Sequence, residues 1–232
     1  MDDQTGSPEL FLFLASTVHD MKNSISVLSG TLENLLVQAQ PGQEPQGYPQ
    51  MAHMLYQTRR LNDNLMQLLA LYKDLGKPDY PFDPRPVQLG ELVQQVADQG
   101  RVLLQSKQIT LDLEYDPEAI GTFDEDLVIG VLAHAINNAV RYTRDRIRLA
   151  ITESDGWLEF RVEDNGMGFP PSMLEAGAAV GKGVNFLTNS SGLGLFFSSE
   201  VARMHRHRQR NGSIALENGG LLGGGCFILR LP

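Results

Sequence analysis

The sequence predicts an α+β protein built in two parts. The first is an antiparallel helical hairpin, which would form a four-helix bundle in a dimer. The second is an α/β sandwich with a mixed sheet. Three observations predict this arrangement. An apolar 3-4 repeat runs along the first third of the chain. Pro78, Pro81, Pro84 and Pro86 then fall within a few residues of one another, and proline stops helices because it lacks an amide donor. Beyond them helical and strand-like patterns mix without strict alternation, as in a sheet with helices on one face.

The hairpin comes first. Ser7-Pro8 supplies a helix start, a capping hydroxyl followed by proline in the first turn. Phe11, Leu14, Val18, Met21, Ile25, Leu28, Leu32 and Leu35 then form a heptad seam. Pro41, Gly42, Pro45, Gly47 and Pro49 mark a loop. Met51, Leu55, Thr58, Leu61, Leu65, Leu68, Tyr72 and Leu75 define the second helix. One hairpin leaves such a seam uncovered, so a homodimer is expected. The expected organisation is a hairpin over 1–76, a proline-rich linker over 77–86 and a second domain over 87–232. Within that domain Leu89–Ser106, Asp124–Tyr142 and Gly192–His207 read as helices. Ile109–Tyr115, Arg146–Thr152, Trp157–Val162, Ser213–Glu217 and Cys226–Leu231 read as strands, with Ser154-Asp155-Gly156 turning between the second and third.

Composition narrows the function classes. The 232 residues are 42% apolar and carry a net charge of -9. That charge argues against nucleic acid as the main partner, because a phosphate backbone requires a positive face. The single cysteine, Cys226, lies in an apolar run and reads as a small core residue. A reducing, cytoplasmic setting fits this cysteine usage. No transmembrane segment is expected: Leu10–Val18 is too short and is interrupted by Ser16 and Thr17. The acidic start, Asp2-Asp3, is unlike a signal peptide. The basic run Arg203, His205, Arg206, His207, Arg208 and Arg210 reads as cations offsetting the dipole of the helix before it.

Four motifs carry candidate chemistry, and each admits a plainer reading when taken alone. His19-Asp20-Met-Lys-Asn23 places a histidine beside the seam with a carboxylate next to it. Asp20 could take a proton from one ring nitrogen while the other attacks a phosphoryl group; a surface histidine with an acidic neighbour is the plainer reading. Asp164-Asn-Gly166-Met-Gly168 follows a strand; its glycines would let backbone approach a ligand, and the carboxylate could accept from the exocyclic amine of adenine. Ser191-Gly192-Leu193-Gly194-Leu195 opens a helix, where amide groups and the dipole favour phosphate, though serine capping alone would account for it. Asn138-Ala-Val-Arg141-Tyr142-Thr143 offers an amide oxygen for Mg²⁺ and an arginine for phosphate. Ala176 to Gly183 is rich in small residues and reads as a lid or a flexible loop.

Taken together and in this order, these motifs resemble those of the sensor histidine kinases of two-component systems. The second half is similar to their ATP-binding domain, a fold shared with gyrase-type and heat-shock-type ATPases. His19-Asp-Met-Lys-Asn looks like the H-box, Asn138-Ala-Val-Arg-Tyr-Thr the end of the N-box, Asp164-Asn-Gly-Met-Gly the G1 box and Ser191-Gly-Leu-Gly-Leu the G2 box. The resemblance implies that His19 is the phosphoacceptor, Asp20 its base and Asn23 a residue positioning water for dephosphorylation of a partner. It further implies ATP and Mg²⁺ at His134, Asn138, Arg141, Tyr142, Asp164, Gly166, Gly168, Gly192, Leu193 and Gly194, with Asn138 as the metal ligand. The phosphoryl group would pass to an aspartate on a response-regulator receiver domain. The chain departs from the pattern at Ser24, where the family has proline, and at His134, where it usually has asparagine. It also departs in a short lid whose one candidate aromatic is Phe186, and at Asn189 to Ser191, where glycines are common. These departures keep a second expectation open: a catalytically weak or inactive kinase-like scaffold that still binds nucleotide.

Overall fold

In the computed structural model the described residues are 82–180 and 192–232, together with 21, 24, 25, 27–32, 35, 50, 51, 53–55, 57, 58 and 61. The chain divides into two compact units, Met1–Pro78 and Asp79–Pro232. Every described residue of the first unit is helical, within 21–35 and 50–61.

The second unit holds the sheet. Its elements run β1 (Arg85–Gln88), α1 (Leu89–Ser106), β2 (Thr110–Glu114), β3 (Ile120–Phe123), α2 (Glu125–Tyr142), β4 (Arg146–Ser154) and β5 (Trp157–Asp164). They continue with α3 (Pro171–Val180), α4 (Gly192–Met204), β6 (Arg206–His207), β7 (Arg210–Asn211), β8 (Ser213–Asn218) and β9 (Gly225–Leu231). The main sheet has the order β2-β4-β5-β9-β8, with β2 parallel to β4 and the other pairs antiparallel. β1 pairs with β3, and β6 with β7, in separate two-stranded ribbons.

Period-2 alternation decides which face is core. Ile147, Leu149 and Ile151 of β4 lie in rows with Val162 and Phe160 of β5 and with Phe227 and Leu229 of β9. These side chains are buried against Leu92, Val93 and Val96 of α1, Val128, Val131, Leu132 and Ile136 of α2, and Val201 and Ala202 of α4. The other face carries the charges. Arg146 pairs with Asp112 at 2.5 Å, Arg148 with Glu114 at 2.6 Å, and Arg230 with Glu159 at 2.5 Å. One sheet face apolar and one charged is the pattern of a sheet covered by helices on one side.

The β4–β5 turn uses Asp155 and Gly156 at φ 52° and 69°, the left-handed pair that matches the twist of a tight hairpin. Of the stretch expected to be linker, Arg85 and Pro86 are the first residues of β1. Proline is tolerated there because β1 has a partner on one side only. The residues just before it are also tied down: the Asp83 N–H donates to Asp124 Oδ2 at 3.1 Å, and the Phe82 ring stands edge-on to His205 at 4.9 Å.

α4 ends at Met204, three residues short of expectation. Arg206 Nε donates to the Arg203 carbonyl, so this cation does meet the helix end. His205 departs from the expected basic run. It is buried, its Nδ1–H donates to the Val201 carbonyl at 2.7 Å, and its Nε2 accepts the Asp124 N–H at 3.0 Å. Burial pushes its pKa below the usual histidine range. A neutral ring linking two helix ends is a packing element and adds no positive charge.

Candidate nucleotide-binding site

The inward rows of β5 run Phe160, Val162, Asp164. Asp164 therefore occupies a core-facing position at the end of a strand, with Ile147 opposite it. It is 6% exposed. A carboxylate there requires donors. Its Oδ1 accepts the Gly166 N–H at 2.7 Å, and its carbonyl accepts the Gly224 N–H at 3.0 Å. The surrounding glycines leave room for it: a Cβ on Gly224 would stand 2.5 Å from Asp164 Oδ1, and one on Gly225 2.8 Å from Oδ2.

Asp164 lies at a cavity of about 130 Å³ walled by apolar side chains, among them Ala135, Ala139, Val162, Met173, Leu195 and Phe227. That volume is close to the ~150 Å³ apolar cavity that takes up a benzene ring, so it is of the size of a single aromatic ring. Asn138, Tyr142 and Gly168 also line it.

α2 supplies one wall, and the sequence explains why. Asp124 caps the helix, with Oδ1 accepting the Leu127 N–H at 3.1 Å. Glu125 and Asp126 occupy the first turn and Arg141 the last, matching the helix dipole. His134, Asn138 and Arg141 recur at helical spacing on one face. Asn138 Nδ2 lies 2.8 Å from His134 Nε2. The amide donates, so the histidine proton is on Nδ1 and the Asn138 oxygen remains free of this bond. Burial, with the Arg141 cation nearby, lowers the His134 pKa to about 4, so the ring is neutral at pH 7. The ring packs directly on α4: a Cβ on Gly194 would stand 1.8 Å from His134 Nε2.

The remaining expected residues are placed as follows. Gly166 passes close to the end of α2, where a Cβ would meet the Tyr142 carbonyl oxygen at 2.1 Å. Gly168 has φ 80°, which favours glycine. Tyr142 is 61% exposed at the cavity mouth. Gly192 and Leu193 begin α4. His19, Asp20 and Asn23 lie outside the described residues, as do Phe186 and the segment 181–191 of the expected lid; Ala176–Val180 of that lid belong to α3.

Two supporting residues escaped the sequence reading. Asn165 Oδ1 accepts the N–H groups of Arg144, Asp145 and Arg146 at 3.1, 3.3 and 3.2 Å, which fixes the α2–β4 turn beside Asp164. Asn218 clamps the loop after Gly168: its Oδ1 accepts the Phe169 N–H at 2.7 Å, and its Nδ2 donates to the Phe169 carbonyl at 2.9 Å. Asn165 stood inside the quoted motif, but its partners come from a turn about 20 residues earlier. Nothing near Asn218 in sequence signals its partner. The small residues Ala135 and Ala139, one turn apart on α2, were a readable sign of a ligand-facing strip.

Residues 123–232 match the family described as histidine kinase-, DNA gyrase B-, and HSP90-like ATPase. The chain is 27% identical over 208 residues to the phosphate regulon sensor protein PhoR of Pseudomonas aeruginosa, covering 87% of this chain and 46% of that protein. It is 26% identical over 211 residues to the sensor-like histidine kinase SenX3 of Mycolicibacterium smegmatis, covering 88% and 53%. The chain thus spans about half the length of these relatives. Two solved structures share the fold. The catalytic domain of histidine kinase ThkA aligns with TM-score 0.54 at 19% identity, over 65% of this chain and 95% of that one. Full-length ShkA in complex with AMPPNP aligns with TM-score 0.60 at 22% identity, over 97% and 46%. The buried Asp164, its glycine cradle and the α2 face of Asn138 all lie within residues 123–232, the stretch that matches the histidine kinase-, DNA gyrase B-, and HSP90-like ATPase family, and these similarities support a histidine-kinase ATP-binding domain in the second unit.

Proposed function

We propose that the chain is the core of a two-component sensor histidine kinase that transfers the γ-phosphoryl group of ATP to His19 and then to an aspartate of a response-regulator receiver domain. The observation that supports this most is Asp164, a carboxylate in a core position opening onto an apolar cavity sized for an aromatic ring. An adenine amine donating to it would satisfy an acceptor that the core otherwise leaves underused.

The residues present fit ATP and Mg²⁺. Mg²⁺ is held by a few oxygen ligands together with substrate phosphates, and the Asn138 oxygen, which takes no part in the His134 contact, would be such a ligand. Bound Mg²⁺ would supply charge neutralisation on the phosphates. Arg141 adds a cation on the same helix face, and Gly192-Leu193-Gly194 at the start of α4 offer backbone N–H groups to phosphate oxygens. In the transfer a His19 ring nitrogen bonds to the γ-phosphorus and the bond to the β,γ-bridging oxygen breaks, releasing ADP. Asp20 takes the proton from the other ring nitrogen. Asn23 positions water for the reverse, dephosphorylating role. The hairpin over 1–76 pairs with a second copy as a four-helix bundle, and the protein works in the cytoplasm. No helix among the described residues is long and apolar enough to cross a membrane.

A second reading is favoured by one observation. His134 stands where the family usually has asparagine, and its ring is packed on Gly194. Under that reading the chain binds nucleotide without productive transfer and acts as a scaffold. Incubation with γ-labelled ATP and Mg²⁺, beside His19→Ala, separates the two. Acid-labile label that vanishes in the variant is the expected result. If neither protein labels and ATP still raises the melting temperature, the scaffold reading holds.

A further inference from the structure

The basic run after α4 and the cavity it borders take no part in the nucleotide site. Among the described strands β3 pairs only with β1, so its other edge presents main-chain donors and acceptors. Ile120, Gly121 and Thr122 of that strand line a cavity of about 750 Å³, within the range of roughly 300–1,000 Å³ typical of ligand sites. Trp157, Leu158 and Leu231 give it an apolar lining. Ile120 is 66% exposed at its lip, a large apolar side chain with little cover.

The β6–β7 hairpin borders the same cavity with His207, Arg208 and Arg210. Seven of the described arginines reach a carboxylate: Arg85, Arg101, Arg146, Arg148, Arg161, Arg203 and Arg230. Arg208 and Arg210, like Arg141, Arg144 and Arg206, have no carboxylate partner among the described residues. Arg210 is held in place, donating to the Asp155 and Gly156 carbonyls at 2.6 and 3.2 Å with its guanidinium 5.3 Å from the Trp157 ring centre. Arg208 sits at φ 56°, a conformation glycine would adopt without steric cost. A cation therefore occupies a backbone position at the hairpin tip that glycine would fill at lower conformational cost. It stands on a chain whose net charge is -9.

We propose that this cavity docks an extended acidic peptide segment of a protein partner. The segment adds as a strand to the open edge of β3, seats one bulky apolar side chain against Trp157 and Leu158, and sets carboxylates against His207 and Arg208. The strand edge selects a peptide, because its hydrogen-bonding groups are met by another main chain. Arg208 selects acidic residues at short range on the hairpin side of the cavity, the opposite choice from Glu153, which also lines it. The overall negative charge selects against a long polyanion such as RNA.

The chain has one tryptophan, Trp157, which lines the cavity and reports its occupancy. The full chain is titrated with the capped peptide Asp-Glu-Leu-Phe-Glu-Asp and with its counterpart carrying lysine at every acidic position. A saturable fluorescence change with the acidic peptide alone is expected. Arg208→Glu should weaken binding by about ten-fold or more, and Thr122→Pro should do the same by removing an edge donor. Arg208→Gly suits the backbone better, so it should keep or raise the melting temperature while losing affinity. The rise in melting temperature with ATP should be unchanged in the Arg208 variants, which keeps this test separate from the kinase reading. No saturable change at millimolar acidic peptide, equal affinity in Arg208→Glu, or equal binding of the lysine peptide or of poly(U) RNA overturns the proposal.

Discussion

At the residue scale, the site depends on atoms that have no room to spare. Asp164→Asn replaces one acceptor oxygen with a donor, which cannot meet an adenine amine. Nucleotide affinity should fall by about 1.5–3 kcal/mol, the range for a hydrogen bond to a charged group, as read by calorimetric titration. Gly194→Ala forces a methyl group into the His134 ring. It should destabilise the domain by roughly 1–3 kcal/mol, and His134→Ala should recover part of that loss in a double-mutant cycle by denaturant unfolding. pH acts through the same histidine. The His134 pKa is lowered to about 4 in the folded state, against about 6.5 unfolded. As pH falls below about 6.5 the unfolded chain takes up a proton that the folded chain refuses. Stability present at pH 7 and above is therefore lost progressively toward pH 4. His205, also lowered by burial, acts in the same direction. His134→Asn should flatten the dependence by up to one proton; an unchanged slope would contradict this assignment.

At the element scale, α2 is the part that orders the site. Asp124 caps it with Oδ1, holds the Asp83 N–H with Oδ2 and, through its own N–H, reaches His205 at the end of α4. A cap of this kind contributes about 1 kcal/mol. Asp124→Ala should cost more than that, because the segment entering β1 also loses its anchor; chemical denaturation of the variant checks it. The helices and strands of the main sheet were legible because each carries its own period: 3.6 residues in α1 and α2, and 2 residues in β4, β5 and β9. β1, β3, the β6–β7 ribbon and α3 were not. β1 holds Pro86 among exposed neighbours, and β3 is four residues long. Such strands are recognisable only by the partner they meet.

At the scale of the whole domain, the charged sheet face is organised around a carboxylate that faces away from the core. Glu163 is 2% exposed and lies 3.2 Å from Arg148 and 3.3 Å from Arg161, with the Leu221 N–H donating to it at 3.1 Å. These contacts join β4, β5 and the loop between β8 and β9. Arg148 keeps Glu114 and Arg161 keeps Glu159 when Glu163 is lost, so Glu163→Ala should destabilise the fold by about 1–3 kcal/mol, chiefly through the Leu221 N–H left without its acceptor, as measured by denaturant unfolding. Cys226 lies 4.0 Å from Glu163 and is fully buried, and burial raises its pKa to about 11. It lies opposite Glu163 on the face away from the helices, and as a buried thiol it should resist alkylation until the domain unfolds. The expectation of a core cysteine followed from its apolar neighbours, but the carboxylate beside it did not.

The sequence by itself determined the main elements of the second unit, the core alternation of its central strands, and the positions of Asp164, Gly166, Gly168, Asn138 and Gly194. These are local properties: a period, a turn chemistry, a glycine where backbone must come close. Only the tertiary structure decided that Asp164 occupies a core row, that His134 donates nothing to its neighbour but accepts from Asn138, and that Asn165 and Asn218 tie the loop to distant backbone. It also decided that His205 inside the basic run is buried while Arg208 and Arg210 rim a cavity. The physical reason is common to all of these. Each is a contact between residues far apart in sequence, and a single side chain does not disclose its burial or its hydrogen-bond partner until packing brings the other chain segment against it.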